Sequence, residues 1–199
     1  LQEGSTAKGV FGVKVMMGNR YFGHFVGKLS ELPECEEEGI RISEMMEGVF
    51  PNLHYIWVTR RNKVLQAISW WRAIQSGKWF WRGEELPTTD KKQDFNFESI
   101  DYLVQELVMR EASWQEFFTE GGIKPYVVVY EDFVSAYEDV ALDIVDYLGI
   151  PISQDIVFEN RSLIKQSDSK SEEWMKRYRD MKQTQWVSGP WEFVANRSK

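Results

Sequence analysis

Hydrophobic and polar residues follow two different periods along this chain of 199 residues. Short, mostly apolar runs bounded by polar residues or glycine predict β-strands over 9–17, 53–59 and 124–131. Apolar stripes that repeat about every 3.6 residues predict α-helices, which cover 40–50, 62–76, 97–120, 133–148 and 170–182. The tail from Gln183 follows neither period and has no assignment.

Residues that favour helix ends sharpen several of these boundaries. Asn62 is expected to open the second helix, and Gly121 and Gly122 are expected to close the third. Asp132 is a predicted N-cap for the fourth helix, and Gly149 is predicted to end it. The helices are therefore separate elements with defined starts and stops.

The order of the elements predicts the fold class. Strands alternate with helices, and the run LHYIWV at 53–58 is apolar enough to be buried on both faces of a sheet. This pattern indicates an α/β fold, a parallel β-sheet flanked by helices on both faces, in one domain over 1–199. Ligands of such folds bind at the carboxyl ends of the strands.

Composition argues against several classes of function. The net charge of −7 disfavours nucleic-acid binding, so an anionic ligand would need a local cluster of positive side chains. The single cysteine, Cys35, and the two separated histidines, His24 and His54, predict neither a disulfide nor a metal site. No apolar run approaches the roughly 20 residues of a membrane span, and the expected location is the cytoplasm.

A long predicted loop over 76–94 is rich in aromatic residues. Loops of this length in a compact domain are often functional. Trp79 and Trp81 are candidate contacts for a substrate ring or for an interface. The neighbouring charges of Lys78 and Arg82 are more simply explained as solvated loop residues, although they could contact a phosphate.

Two adjacent arginines follow the middle predicted strand. Arg60 and Arg61 precede Asn62, so guanidinium groups and the free N–H groups of a helix start would meet at one sheet edge. Guanidinium groups bind tetrahedral oxyanions through paired hydrogen bonds. Ser69 shares a helix face with Asn62 and Gln66, about 10 Å along the axis from Asn62. One anion shared by Arg61 and Ser69 is therefore geometrically allowed.

Other interpretations of these residues stay open. The arginines could be surface residues that pair with acidic neighbours, with Ser69 merely tolerated in a helix. An acidic pair, Glu131 and Asp132, ends the third predicted strand near the same sheet edge. Helix capping is the simpler role for Asp132, and catalysis is the alternative.

Several segments together resemble a known family. The segment TRRNKVLQAISWWRAIQSGKW at 59–79 is similar to the 3′-phosphate-binding segment of sulfotransferases, in which serine follows arginine by eight residues. It resembles most the bacterial trehalose 2-sulfotransferase-like family. Three further segments resemble that family in the same order, namely GVFGVKVMM at 9–17, VVVYEDF at 127–133 and KQSDSKSEEWMKRYR at 165–179.

The resemblance implies a fold, an activity and site residues. It implies the P-loop NTPase-like sulfotransferase fold and transfer of a sulfuryl group from 3′-phosphoadenosine 5′-phosphosulfate to a hydroxyl of a carbohydrate or other small acceptor, without a metal. Arg61 and Ser69 would bind the 3′-phosphate of the donor, and Arg60 would brace the site by pairing with an acidic side chain. Lys165 lies where the family places a loop over the nucleotide. The family would also permit a homodimer.

One part of the family pattern has no counterpart in the sequence. The turn R-[ST]-G-S-[TN], which binds the 5′-phosphosulfate in sulfotransferases, is absent, and the catalytic general base stays unassigned. We expect the chain to be N-terminally truncated, beginning downstream of that turn. The alternative is a non-catalytic α/β module that binds a nucleotide or a partner. A relative of the P-loop kinases is less favoured, because the sequence has no GxxxxGK[ST] motif.

Overall fold

The structure is a computed structural model, which describes residues 5–6, 9–35, 39–77, 79, 93–151, 158 and 169–188. Strands β1 and β2 pair in a two-stranded parallel sheet. The elements in chain order are a π-helical turn (Asn19–Gly23), α1 (His24–Leu29), a 3₁₀ turn (Pro33–Cys35), α2 (Ile42–Val49), β1 (Ile56–Thr59), α3 (Lys63–Ser76), α4 (Phe97–Glu120), β2 (Tyr126–Val129), α5 (Tyr130–Ser135), α6 (Tyr137–Tyr147) and α7 (Ser169–Ser188). The mixed α/β class is therefore confirmed.

Contacts within the chain divide it into two compact units. The first unit contains Leu1–Trp57 and Met109–Val127, and the second contains Val58–Val108 and Val128–Lys199. The prediction of one domain over 1–199 stays a prediction.

The core of the first unit is aromatic. Phe22 packs edge-on against Trp114 and Phe117, with ring centroids 5.0 and 5.4 Å apart. Helices α1 and α2 add apolar side chains, and the free thiol of Cys35 is also buried in this cluster. Edge-to-face rings and buried aliphatic groups stabilise the unit mainly through the area they remove from water.

The core of the second unit joins α3, α4 and α7. Ile68 on α3 and Ile100 on α4 are fully buried. Trp174 and Tyr178 on α7 are buried in the same cluster. This packing holds α3, the helix that follows the two arginines, on a fixed support.

A polar contact reinforces the packing of α4 on α7. Asp101 accepts hydrogen bonds from Tyr178 Oη at 2.6 Å, Lys182 Nζ at 2.8 Å and Gln105 Nε2 at 2.8 Å. Burial raises the pKa of Asp101, but the hydrogen bonds from Lys182 and Tyr178 outweigh it and hold that pKa below its ordinary value. The carboxylate is therefore charged and fully used as an acceptor at neutral pH.

Several predicted boundaries are confirmed. The second and third predicted helices are α3 and α4, and Asn62 caps α3 by accepting a hydrogen bond from Leu65 N at 3.0 Å. Gly122 follows α4 with a φ of +64°, and Gly149 follows α6 with a φ of +63°. Both glycines adopt the left-handed conformation that commonly ends helices.

The predicted strand over 9–17 is wrong. In the described part of this segment, the one β-type contact is an isolated antiparallel bridge between Ser5 and Phe11. Gly9 has a φ of +78° and donates to Thr6 O at 2.9 Å, which makes a tight turn. Local hydrogen bonds between Thr6 and Val10 and between Phe22 N and Met16 O replace strand pairing here, and Val15 and Met17 still pack on the first core.

Two other expectations are also wrong. The middle strand is not buried on both faces, since Val58 is 66% exposed. Ile56, on the same face as Val58, is 38% exposed, so one face of β1 is open to solvent. The helix predicted over 133–148 is broken at Ala136 into α5 and α6. Asp132 lies inside the first turn of α5, whose N-cap is Val129, so Asp132 does not cap a helix.

Candidate functional site

The turn from β1 to α3 is held by a carboxylate from the helix that follows β2. Glu131, in the first turn of α5, accepts a hydrogen bond from Arg61 N at 3.0 Å and one from Asn62 N at 3.3 Å. The predicted free N–H groups at the start of α3 are therefore already bound in part. An anion at this site would be held by side chains rather than by those two amides.

Arg60 lies in a shielded environment. Its Nε is 3.5 Å from Glu131 Oε1, and its side chain is 17% exposed. The guanidinium carbon lies 4.5 Å from the centre of the Tyr130 ring, within the range of a cation–π interaction. Arg60 thus lies between a carboxylate and an aromatic ring, and its buried Nε makes no hydrogen bond within the described part of the chain.

Arg61 has a different environment from its neighbour. Its Nη1 donates to Asp132 Oδ1 at 2.8 Å, and its Nη2 donates to Asp132 Oδ2. The side chain of Arg61 is 60% exposed and that of Asp132 is 55% exposed. The hydrogen bonds between them raise the pKa of Arg61 and lower the pKa of Asp132. The geometry is the two-pronged fork that guanidinium groups form with carboxylates and phosphates.

The charge state of Glu131 follows from its contacts. Burial raises the pKa of Glu131, but hydrogen bonds from Arg61 and Asn62 and the charge of Arg60 outweigh it and lower that pKa. Glu131 is therefore ionised near neutral pH, as its role as acceptor for two amides requires.

Helix α3 carries the remaining predicted residues of this site. Ser69 is partly buried, and its hydroxyl has no hydrogen-bond partner among the described residues. The buried Oε1 of Gln66 also lacks a donor within the described part of the chain. Polar groups with unused hydrogen-bonding capacity are able to bond a ligand or water.

The structure describes one of the remaining candidate residues. Trp79 is described and is 55% exposed. Trp81 and Lys165 lie outside the described residues, as do Lys78 and Arg82.

Sequence reasoning missed two contributors to the site. Glu131 was considered as a strand-end acid but not as the acceptor that joins the two turns. Lys63 was not considered, although its Nζ lies 3.4 Å from Thr59 Oγ1 and donates to Arg60 O. The sequence places Glu131 at the end of a predicted strand, but its contact with Arg61 N and Asn62 N depends on the pairing of β1 with β2. The signal for Lys63 was only its distance of three residues from Arg60.

The described residues form neither a membrane-spanning helix nor a metal-binding cluster. None of the helices there is both long and apolar enough to cross a membrane. Within the same ranges, no group of three or more His, Cys, Asp or Glu side chains is arranged to hold a metal ion.

Comparison with known proteins places the chain in a family. The family model described as Stf0 sulphotransferase matches residues 1–181. A trehalose 2-sulfotransferase of Mycolicibacterium smegmatis is 29% identical over 177 residues, which are 88% of this chain and 63% of that protein. A trehalose 2-sulfotransferase of Mycobacterium tuberculosis is 28% identical over 181 residues, with the same two coverages. The chain thus spans about 63% of the length of these relatives. Because the family model covers most of its length, the chain belongs to the Stf0 sulphotransferase family.

Proposed function

We propose that the chain is a sulfotransferase, or part of one, that transfers a sulfuryl group from 3′-phosphoadenosine 5′-phosphosulfate to a hydroxyl. The observation that carries the proposal is the β1–α3 turn, where Arg61 stands eight residues before Ser69 in a chain of this family. Both relatives are named for trehalose, a sugar, which supports a carbohydrate as the acceptor.

The side chains of the turn suit the 3′-phosphate of such a donor. Arg61 presents a mostly exposed guanidinium fork, and the Ser69 hydroxyl has no partner among the described residues. Arg60 would support the site rather than bind the ligand, because Glu131 and Tyr130 already hold it. When bound, the donor would supply the sulfuryl group that an acceptor hydroxyl takes up.

Further parts of the proposal lie outside this turn. Lys165 is proposed as a second contact to the donor, and Trp79 and Trp81 are proposed as contacts to the acceptor. A cytoplasmic location, a homodimer and a reaction without a metal are predictions of the same kind.

Binding of the product nucleotide tests the donor site. Adenosine 3′,5′-bisphosphate at about 100 times its dissociation constant should stabilise the folded chain by about 2.7 kcal/mol, and so raise the melting temperature by roughly 5–10 °C. Arg61→Ala and Ser69→Ala should reduce this rise. The matched controls Arg179→Ala and Ser113→Ala, at exposed positions on α7 and α4, should keep it. The absence of a rise at millimolar nucleotide would contradict donor binding by this chain.

A transfer assay separates the enzyme from a non-catalytic module. With radiolabelled donor and trehalose, the proposal predicts labelled sugar that depends on Arg61. Nucleotide binding without transfer to trehalose or other hydroxyl acceptors would instead support a module that only binds the nucleotide.

A further inference from the structure

Asp132 binds the two terminal nitrogens of Arg61, which an anionic ligand would also use. Both terminal nitrogens of the Arg61 guanidinium donate to the two oxygens of this one carboxylate. A phosphate presents two oxygens to an arginine fork in the same way. A phosphate and Asp132 therefore cannot both bind the Nη1–Nη2 edge of Arg61 at once.

The exposure of the pair makes this contact exchangeable. More than half of each side chain is in contact with solvent, so the groups stay hydrated when the pair opens. Exposed ion pairs of this kind are weak. The Arg60–Glu131 pair differs, because Arg60 is shielded and Glu131 also binds two backbone N–H groups. Of the two arginines, Arg61 is thus the one whose partner can be replaced.

We propose that Asp132 is an internal competitor for the phosphate that binds Arg61. This inference rests on the proposed function, since it concerns the same 3′-phosphate site. Without ligand, the Asp132 carboxylate occupies the fork and neutralises the guanidinium. A phosphate monoester, which carries more charge than a carboxylate at neutral pH, displaces Asp132 and binds in its place. A ligand without a phosphate at this position leaves the pair closed.

The proposal predicts the sign of a binding change. Asp132→Asn removes the competing charge while it keeps the size of the side chain. Calorimetric titration of the full 199-residue chain with adenosine 3′,5′-bisphosphate should show binding about two- to fivefold tighter than in the wild type, as expected for loss of one exposed pair. Adenosine 5′-phosphate, which lacks the 3′-phosphate, should bind equally to both proteins. Asp143→Asn, an exposed α6 change of the same charge, measures the effect of net charge alone.

A double-mutant cycle locates the effect at Arg61. Asp132→Asn should have no effect on nucleotide affinity when Arg61→Ala is also present. Circular dichroism of each variant checks that the fold is retained.

The outcomes separate this inference from the proposed function. In one outcome, Arg61→Ala weakens nucleotide binding, but Asp132→Asn binds the nucleotide no more tightly than Asp143→Asn does. Asp132 then orients the arginine, and the competitor role is wrong. The proposed function still stands in that case. If Asp132→Asn increases the affinity for both nucleotides equally, the competitor role is also wrong. If Arg61→Ala leaves binding unchanged, or no chain binds the nucleotide, the 3′-phosphate assignment fails and the inference fails with it.

Discussion

Replacing Glu131 with alanine would remove the acceptor that joins the start of α3 to α5. The variant loses the hydrogen bond to Arg61 N at 3.0 Å, the longer one to Asn62 N at 3.3 Å and the ion pair with Arg60 at 3.5 Å. A cap-type bond to a backbone N–H is worth about 1 kcal/mol, and the longer bond roughly half of that. The partly shielded pair adds up to about 1 kcal/mol. We expect the free energy of unfolding to fall by about 2 kcal/mol, with a melting temperature lower by roughly 4–8 °C.

Urea unfolding followed by circular dichroism measures this loss. Glu138→Ala is the matched control, because Glu138 is an exposed acid in the first turn of α6 and shares any general effect of charge near a helix start. Glu131→Gln keeps one carbonyl acceptor and should lie between the alanine variant and the wild type. If Glu131→Ala and Glu138→Ala differ by less than about 0.5 kcal/mol, the joining role assigned to Glu131 is wrong.

Lowering the pH should remove the contribution of Glu131 to the free energy of unfolding. The pKa of Glu131 is lowered in the folded chain from an ordinary value of 4.5, so its stabilisation is complete above that value and is lost as the pH falls through the folded pKa. The difference between wild type and Glu131→Ala should therefore shrink below pH 4.5. A difference that grows on acidification would contradict this sign.

Three further substitutions test the packing and the helix ends. Ile68→Ala should lower the free energy of unfolding by about 2–5 kcal/mol in urea titrations, while Ile74→Ala, at a position 47% exposed on the same helix, should cost much less. Asp101→Asn should make stability less dependent on pH below about 4, since the pKa of Asp101 is lowered from 3.8 and its contribution disappears on acidification; a parallel pH profile would contradict this. Gly122→Ala, at a φ of +64°, should destabilise by about 1 kcal/mol, whereas Gly48→Ala, inside α2 with open space around it, should be neutral or stabilising in thermal melts.

The helices could be predicted from the sequence because their signals are local. The stripe and cap of α3 and the glycines after α4 lie within the segments that they define. The segment 9–17 has the apolar residues of a strand, but its turn at Gly9 and its lack of a pairing partner in the described residues override that preference. Burial of β1 could not be predicted, because an apolar run does not say which elements pack on the two faces of the strand.

The candidate site could be predicted only in part, because local signals do not give the contacts between distant segments. The resemblance selected Arg60, Arg61 and Ser69 from one continuous segment. The partners of the arginines come from a distant segment, and no period or motif in the sequence assigns Glu131 to Arg60 and Asp132 to Arg61. That assignment depends on strand pairing, which brings residues about 70 positions apart into contact.

This separation along the chain also sets an order of events in folding. Helix α3 has its own cap at Asn62 and can form from nearby residues. The contacts of Arg61 require closure of a segment of 70 residues, whose entropic cost is met only when β2 pairs with β1. During synthesis, the contacts of Arg60 and Arg61 with Glu131 and Asp132 can form only after residue 132 has left the ribosome. A nascent chain that ends before that point would lack the carboxylates that give its two arginines different environments, and also the α7 side chains that pack on α3.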